Sequence, residues 1–287
     1  MRPGPAATSA PAGVPGRQGR FRLGVAAGAA LVTLLLVTAA LGPVAAPHRP
    51  EATDFEPYRA PGRGFVLGTD HLGRDLLSRV LWGARLSVEV GLLAAGVSVI
   101  LGALGGLASG LLAGPVDLLA QRLTDILLAV PPLVLALALV AGMGPSARTV
   151  ILALILTLAP GMARTLRSVV LVIRQAPFVE AARALGAGVP RVAGRHVLPG
   201  LLPTAGTLFT VAVAHAMVVE ASLSFLGAGV PADHVSWGSM VTAGVASFER
   251  APWIVLAPGL ALTLGILGLT LVGDAIHGAA SRRAVGS

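Results

Sequence analysis

Residues 176–203 read APFVEAARALGAGVPRVAGRHVLPGLLP and stand between two long apolar runs. Pro177 suits the first turn of a helix, where its missing N–H is no loss. Phe178, Ala181, Ala182 and Leu185 give that helix an apolar side at steps of three and four. Gly186 fits the left-handed position that stops it. Pro190 starts a second segment bearing Arg191 and Arg195, and Pro199 is expected to end it before the next apolar run. A short helix with a small-residue face, a glycine stop and a basic return has the shape of a plug for a groove on a partner protein. A solvated loop does not account for the Ala-Ala face.

Working outward, the flanking runs cover about 148–172 and 201–227, and similar runs cover 23–46, 87–113, 118–142 and 253–277. Each is long enough at ~1.5 Å per residue to cross a hydrocarbon core of about 30 Å. Six spans are therefore predicted, in an all-α polytopic membrane protein. Composition agrees. Of 287 residues 55% are hydrophobic and 12% charged, against about 25% charged in a soluble domain. The mean hydropathy is +0.83. The absence of cysteine excludes a disulfide scaffold. All 21 basic residues are Arg. Without Lys the chain can form no Walker A phosphate loop and no Lys-based covalent intermediate.

The formal charge of +8 comes with only 4% aromatic residues. The Arg residues lie between apolar runs, so they are topology signals rather than a nucleic-acid surface. An N-terminus in the cytoplasm puts thirteen of the 21 Arg on that side, the sign that positive-inside requires. Residues 1–22 are then a flexible basic cytoplasmic tail, 23–277 the transmembrane domain and 278–287 a cytoplasmic C-terminal tail. Trp82, Trp237 and Trp253 fall on the outer side as one interfacial belt. Val44-Ala45-Ala46 is similar to a leader cleavage site. The run before it exceeds an h-region of about 7–15 residues, so it is read as a retained anchor.

The outer segment, 47–85, holds Leu72, Leu76, Leu77, Val80 and Leu81 on one helical face. A short amphipathic surface helix is expected there, with Asp75 and Arg79 as an i,i+4 pair. Gly102, Gly106 and Gly110 line one face of the second span, permitting close approach of another helix. Pro131-Pro132 and Pro160-Gly161 are expected to interrupt the third and fourth spans. Glu220, near the outer end of the fifth span, is a functional candidate because a carboxylate there is costly.

Several blocks together carry a family resemblance. Glu180-Ala181-Ala182, three residues, Gly186, nine residues, then His196-Val197-Leu198-Pro199 resembles the EAA loop of ABC importer permeases. Leu67-Gly68-Thr69-Asp70, Gly73-Arg74-Asp75 and Ser78-Arg79 resemble the segment after the first span in the peptide/nickel subfamily. Glu220-Ala221-Ser222-Leu223-Ser224-Phe225-Leu226-Gly227 with Trp237-Gly238 is similar to its fifth-span end and outer loop. Pro252-Trp253, Pro258-Gly259 and Gly273-Asp274-Ala275 match its sixth span. Gly200, the ending DAIHGAASRR and Ala232–Val235 depart from the pattern.

The resemblance is to C-type permease subunits of dipeptide and oligopeptide importers, over about residues 22–277. It implies a type I importer permease fold in a bacterial inner membrane, a second permease subunit, two cytoplasmic ATPases and an external substrate-binding protein. ATP and Mg would be used by the ATPases; no cofactor or metal is expected in this chain. The loop 173–200 would couple to an ATPase through a helix at Pro177–Leu185. Ala181 and Ala182 would pack in its groove and Gly186 would end the helix. Glu180 would meet a basic group or cap its own helix, and Arg191 and Arg195 would hold acids or headgroups. An ion-coupled secondary transporter is the alternative, but ionisable groups within the spans are few. An intramembrane protease would have to use His215 with Ser222 or Ser224, and serines seven and nine residues on lie about 10 Å or more along the helix axis, out of hydrogen-bond reach. HExxH and cysteine metal spacings are absent from the sequence.

Overall fold

The structure is a computed structural model that describes residues 16–112, 114–231 and 234–285, with side chains between 23 and 279. Residues 1–15 of the expected tail, Ala232 and Asp233 of the outer loop, and residues 286 and 287 lie outside the described residues. The helices in chain order are α1 (Gly16–Ala45), α2 (Leu76–Leu112), α3 (Gly114–Ala129), α4 (Pro132–Met143), α5 (Ala147–Ile173), α6 (Pro177–Ala184), α7 (Val189–Val192), α8 (Leu198–Phe225), α9 (Trp237–Val245) and α10 (Trp253–Val285). A π-turn, Ala193–Val197, joins α7 to α8. Among the described residues there is no strand, only isolated bridges at Gly62–Phe65 and Thr69–Asp75. α1 starts within the expected tail, at Gly16, and α10 runs through most of the C-terminal one.

The glycine stripe sets the geometry. A Cβ at Gly102 would lie 2.7 Å from Met162 Cβ, one at Gly106 2.8 Å from the Arg167 backbone N, and one at Gly110 2.5 Å from Val170 Cγ1. The partner number rises with the glycine number, so α2 and α5 run parallel in backbone-close contact. The chain between them must therefore return across the layer. α3 and α4 do this as one broken span, bent by 86° at Pro131, where Pro132 opens α4 without a capping side chain. The expected break at Pro131-Pro132 is found, and with the bent pair counted as one span the described residues make six crossings.

The other contacts fix the remaining directions. Gly28 meets Leu271 while Gly268 meets Leu31, so α1 and α10 are antiparallel. Gly273 meets Thr210 and Gly265 meets Met217, so α8 opposes α10 as well. The first turns of α1, the last turns of α10 and the loop holding α6 consequently share one end of the bundle, here called the inner end. The segment 47–75 and α9 occupy the outer end.

Four expectations are corrected. No separate surface helix forms at 72–81: Leu72 lies in a turn, and the helix that starts at Leu76 continues unbroken as the span. Asp75 and Arg79 do not pair, because Asp75 caps that helix start while Arg79 reaches the Pro50 carbonyl at 2.9 Å. Pro160 sits buried inside a continuous α5 instead of breaking it. The lost backbone donor is one bond in a 27-residue helix, tolerated where neighbouring helices pack on both sides. Pro199 does not end a helix either. It stands in the first turn of α8, directly after the π-turn in which the Leu198 N–H reaches back to the Ala193 carbonyl, so 189–225 stays helical with one backbone donor missing.

Candidate functional site

At the inner end, α6 is anchored by a residue that periodicity did not single out. Val179 is fully buried and packs with Leu166, Val170, Val192, Val197 and Leu201. This fixes α6 on α5 and α8 and turns its other side outward. Phe178 is 54% exposed and Leu185 89%, with Ala181 beside them exposed and Ala182 half-buried. So much apolar area on two turns of helix is out of place on a finished surface.

The end of α6 is a Schellman stop. Gly186 has φ +85. Its N–H donates to the Arg183 carbonyl at 2.9 Å and the Ala187 N–H to that of Ala182 at 3.0 Å. These are the two reversed bonds that define the motif. A Cβ on Gly186 would meet nothing within 4 Å, so the glycine is required by backbone conformation alone. His196 stacks loosely on Phe178, with ring centroids 6.0 Å apart. Glu180, Arg183, Arg191 and Arg195 are all exposed. Pro199 follows in the helix that leads back through the bundle. From Val189 to Phe225 that helix is continuous, about 55 Å of rod at ~1.5 Å per residue.

A polar knot backs the loop. Arg167 holds Asp117 through two bonds of 2.7 and 2.6 Å. Ser109 donates to the same carboxylate and accepts from Gln121 at 3.2 Å. Arg174 donates to the Gly110 carbonyl at 2.7 Å, and Arg164 pairs with Asp125. Together these tie α2, α3 and α5 to one another just where the loop leaves the bundle. Sequence reading took the Arg residues only as charge signals and missed their partners, which lie 39 to 64 positions away.

At the outer end the rod meets a clamp. Glu220 is 1% exposed. Its Oε1 accepts from Ser224 Oγ at 3.0 Å and from Ser236 Oγ at 2.9 Å. Ser236 is also the N-cap of α9, forming a capping box with Ser239. Gly238 presses on the same carboxyl, since a Cβ there would sit 3.1 Å from Glu220 Oε2. Trp237 completes the attachment: its backbone N–H donates to Ser87 Oγ at 3.0 Å and its indole to the Val80 carbonyl at 2.9 Å. Trp253 likewise donates inward, to the Thr69 carbonyl at 3.3 Å. The expected interfacial belt is thus reduced to Trp82; the other two rings bind protein.

The remaining outer residues form one locked turn system. Asp70 is buried and accepts from the Leu72 N–H at 2.8 Å, the Arg74 N–H at 3.0 Å and Arg74 Nε at 2.7 Å, with Arg79 3.6 Å away. Thr69 donates to the Glu56 carbonyl at 2.6 Å and accepts from the Arg59 N–H at 2.9 Å. Gly68 and Gly73 both have positive φ, and at Gly73 a Cβ would overlap the Phe55 carbonyl. Asp75 Oδ2 accepts from Ser78 Oγ at 2.5 Å and faces His48 Nδ1 at 3.2 Å. His48 meets Phe55 edge-on and stacks on Phe65. The residues brought together here are those of the outer blocks, but their work is to hold one another. His215 is exposed on α8, while Ser222 donates to Val218 and Ser224 to Glu220, so no nucleophile–base pair forms. Among the described residues no cluster of His, Cys, Asp or Glu has the grouping of a metal site.

A six-crossing helical subunit with a bare short helix inside and a clamped short helix outside has the fold of type I ABC importer permeases. Its backbone is similar to that of a chain from the inward-facing MetNI methionine ABC transporter, at TM-score 0.57 and 16% identity, covering 70% of this chain and 95% of that one. The chain belongs to the family of binding-protein-dependent transport system inner membrane components, which it matches over residues 90–286. It is 37% identical over 262 residues to a putative peptide transport system permease protein of Brucella suis, covering 91% of this chain and 87% of the relative. It is 34% identical to a probable D,D-dipeptide transport system permease protein of Escherichia coli, covering 87% and 84%.

Proposed function

We propose that this chain forms half of the membrane pathway of an ATP-driven importer of short peptides, in a bacterial inner membrane with both termini in the cytoplasm. The observation that carries the reading is the bare apolar side of α6, joined by an unbroken helix to the Glu220 clamp at the opposite end. α6 docks in a groove on a cytoplasmic ATPase, burying Phe178, Ala181 and Leu185. When two ATPases close on ATP, the docked helix moves as a body, and the rod from Val189 to Phe225 carries the movement to the outer end. A second permease subunit completes the pathway, and an external binding protein delivers the peptide. Hydrolysis biases the two states, and this chain supplies only contacts that differ between them. Arg191 and Arg195, exposed at the base of the rod, meet lipid headgroups or acids of the ATPase. The peptide reading follows the relatives' names and the likeness of the outer blocks.

The absence of native cysteine makes the test direct. Single cysteines at Ala187 and Thr53 are expected to react with membrane-impermeant thiol reagents from the cytoplasmic and the outer side respectively. Uptake of a labelled dipeptide is expected to require ATP and the ATPase subunits. The reverse labelling pattern overturns the orientation. Uptake driven by a proton gradient without ATP makes the chain a secondary carrier instead.

A further inference from the structure

α2 is the central helix of the bundle, yet one of its faces is open. Its small residues, Gly91, Gly102, Gly106 and Gly110, are buried against α5 and α8. On the other side Trp82, Arg85, Glu89, Leu93, Val97 and Ile100 are all exposed, at the three- and four-residue steps of one helical stripe. Arg85 and Glu89 are one turn apart, and neither makes a hydrogen bond or ion pair with any described residue. The outer end of this stripe, where an unpaired guanidinium and an unpaired carboxylate sit, cannot face hydrocarbon, because each charge is costly there. It faces water or protein.

Two cavities meet at these side chains. One, of about 240 Å³, opens outward and includes Glu51 of the outer segment and His234 of the outer loop beside Trp82. The other, of about 350 Å³, lies between α1 and α2 and is lined by Leu36, Ala39 and Leu93. Arg85 and Glu89 line both. They mark the step from a polar mouth to an apolar interior. The mouth offers one fixed cation and two carboxylates, the complement of a zwitterion with a carboxylate at one end and an ammonium at the other. Side chains one turn apart start about 5–6 Å apart, and a dipeptide spans at most about 7 Å.

Building on the importer reading above, we propose that Arg85 and Glu89 hold the two charged ends of a short peptide as it enters from the outer side. Arg85 takes the carboxylate through its planar fork, and Glu89, with Glu51, takes the ammonium. Peptide side chains then face the apolar cavity below, which sets little demand on their identity.

The experiment uses the assembled importer in proteoliposomes, with single-cysteine variants Trp82→Cys and Leu86→Cys, which line the mouth beside Arg85 and Glu89 and leave both charges in place. Water-soluble thiol reagents added on the outer side are expected to label both. Binding protein loaded with Ala-Ala, trapped with ATP and vanadate, is expected to slow labelling about tenfold, the size of one charge-assisted contact; unloaded binding protein is expected not to. Failure to label, as when a second permease subunit covers this face, overturns the proposal. So does labelling that loaded binding protein leaves unchanged. As a second readout, Arg85→Gln is expected to lower uptake of Ala-Ala from saturating loaded binding protein about tenfold, with Arg85→Lys recovering part of it. Equal rates for Arg85→Gln and wild type overturn the proposal as well. Wild-type uptake of Ala-Ala is the separate control. If it is absent, the peptide reading fails; if it is present and the variants behave as wild type, only the assignment of Arg85 and Glu89 fails.

Discussion

The outer segment 47–75 and the inner loop 174–198 are of similar length, and each holds a positive-φ glycine that the resemblance singled out. Gly73 is wedged: a side chain would strike the Phe55 carbonyl, and Asp70, Thr69 and Asp75 engage the backbone and side-chain groups of the turns around it. Gly186 has open space around it, and the side chains beside it, Leu185 above all, touch nothing on their outer side. One region has spent its bonding capacity internally, whereas the other keeps its apolar surface in reserve. On the reading proposed for α6, the difference separates residues that maintain the subunit from residues that present it to a partner.

The sharpest way to break this contrast is at Asp70. Removing its carboxylate in Asp70→Ala leaves Arg74 and Arg79 without their partner in a buried setting. A loss of about 3–5 kcal/mol is expected, read as a large drop in the melting temperature of the solubilised subunit and in the amount found in the membrane. A smaller effect is expected at the clamp. Glu220→Ala strips the acceptor from Ser224 and Ser236, at about 1–3 kcal/mol, and should also loosen α9, measurable as faster hydrogen exchange over 237–245. Gly186→Val comes next, with backbone strain of about 1–3 kcal/mol confined to an exposed turn. The subunit is expected to accumulate almost normally while peptide uptake falls to background. Leu185→Asp should change stability least, within about 0.5 kcal/mol as for an exposed site, yet abolish co-purification with the ATPase. If Leu185→Asp unfolds the subunit, or Asp70→Ala leaves its melting temperature unchanged, the contrast between the two regions is wrong.

The same contrast explains what could be read before the structure. The α6 helix, its apolar side and the Gly186 stop follow from contacts within ten residues, so spacing reveals them. Pro131-Pro132 announced the broken crossing because two prolines act on their own backbone. The glycine stripe announced its partner face, though not that the partner would be α5. Asp75 and Arg79 were misassigned because local spacing proposes a pair, whereas His48, Pro50 and Asp70 win the bonds through tertiary placement. Val179 was invisible for the same reason: a lone valine becomes an anchor only when Leu166, Val197 and Leu201 close around it. Pro160 and Pro199 show the limit of proline as punctuation, since packing in one case and the wide π-turn just before it in the other let the helix continue.

The π-turn at Ala193–Val197 has a consequence for the wider family. A turn of this kind holds one residue more than an α-helical turn, so it works as a built-in insertion within an otherwise regular rod. Deleting any one residue there would allow plain α-helix from Val189 to Phe225. Because the wide turn absorbs its extra residue locally, α6 would keep nearly the azimuth it has now, whereas one residue added to or taken from regular α-helix would turn it by about 100°. On the docking proposed for α6, the π-turn is therefore a length buffer: a relative one residue shorter here, with plain α-helix in its place, should present its short helix at the same azimuth.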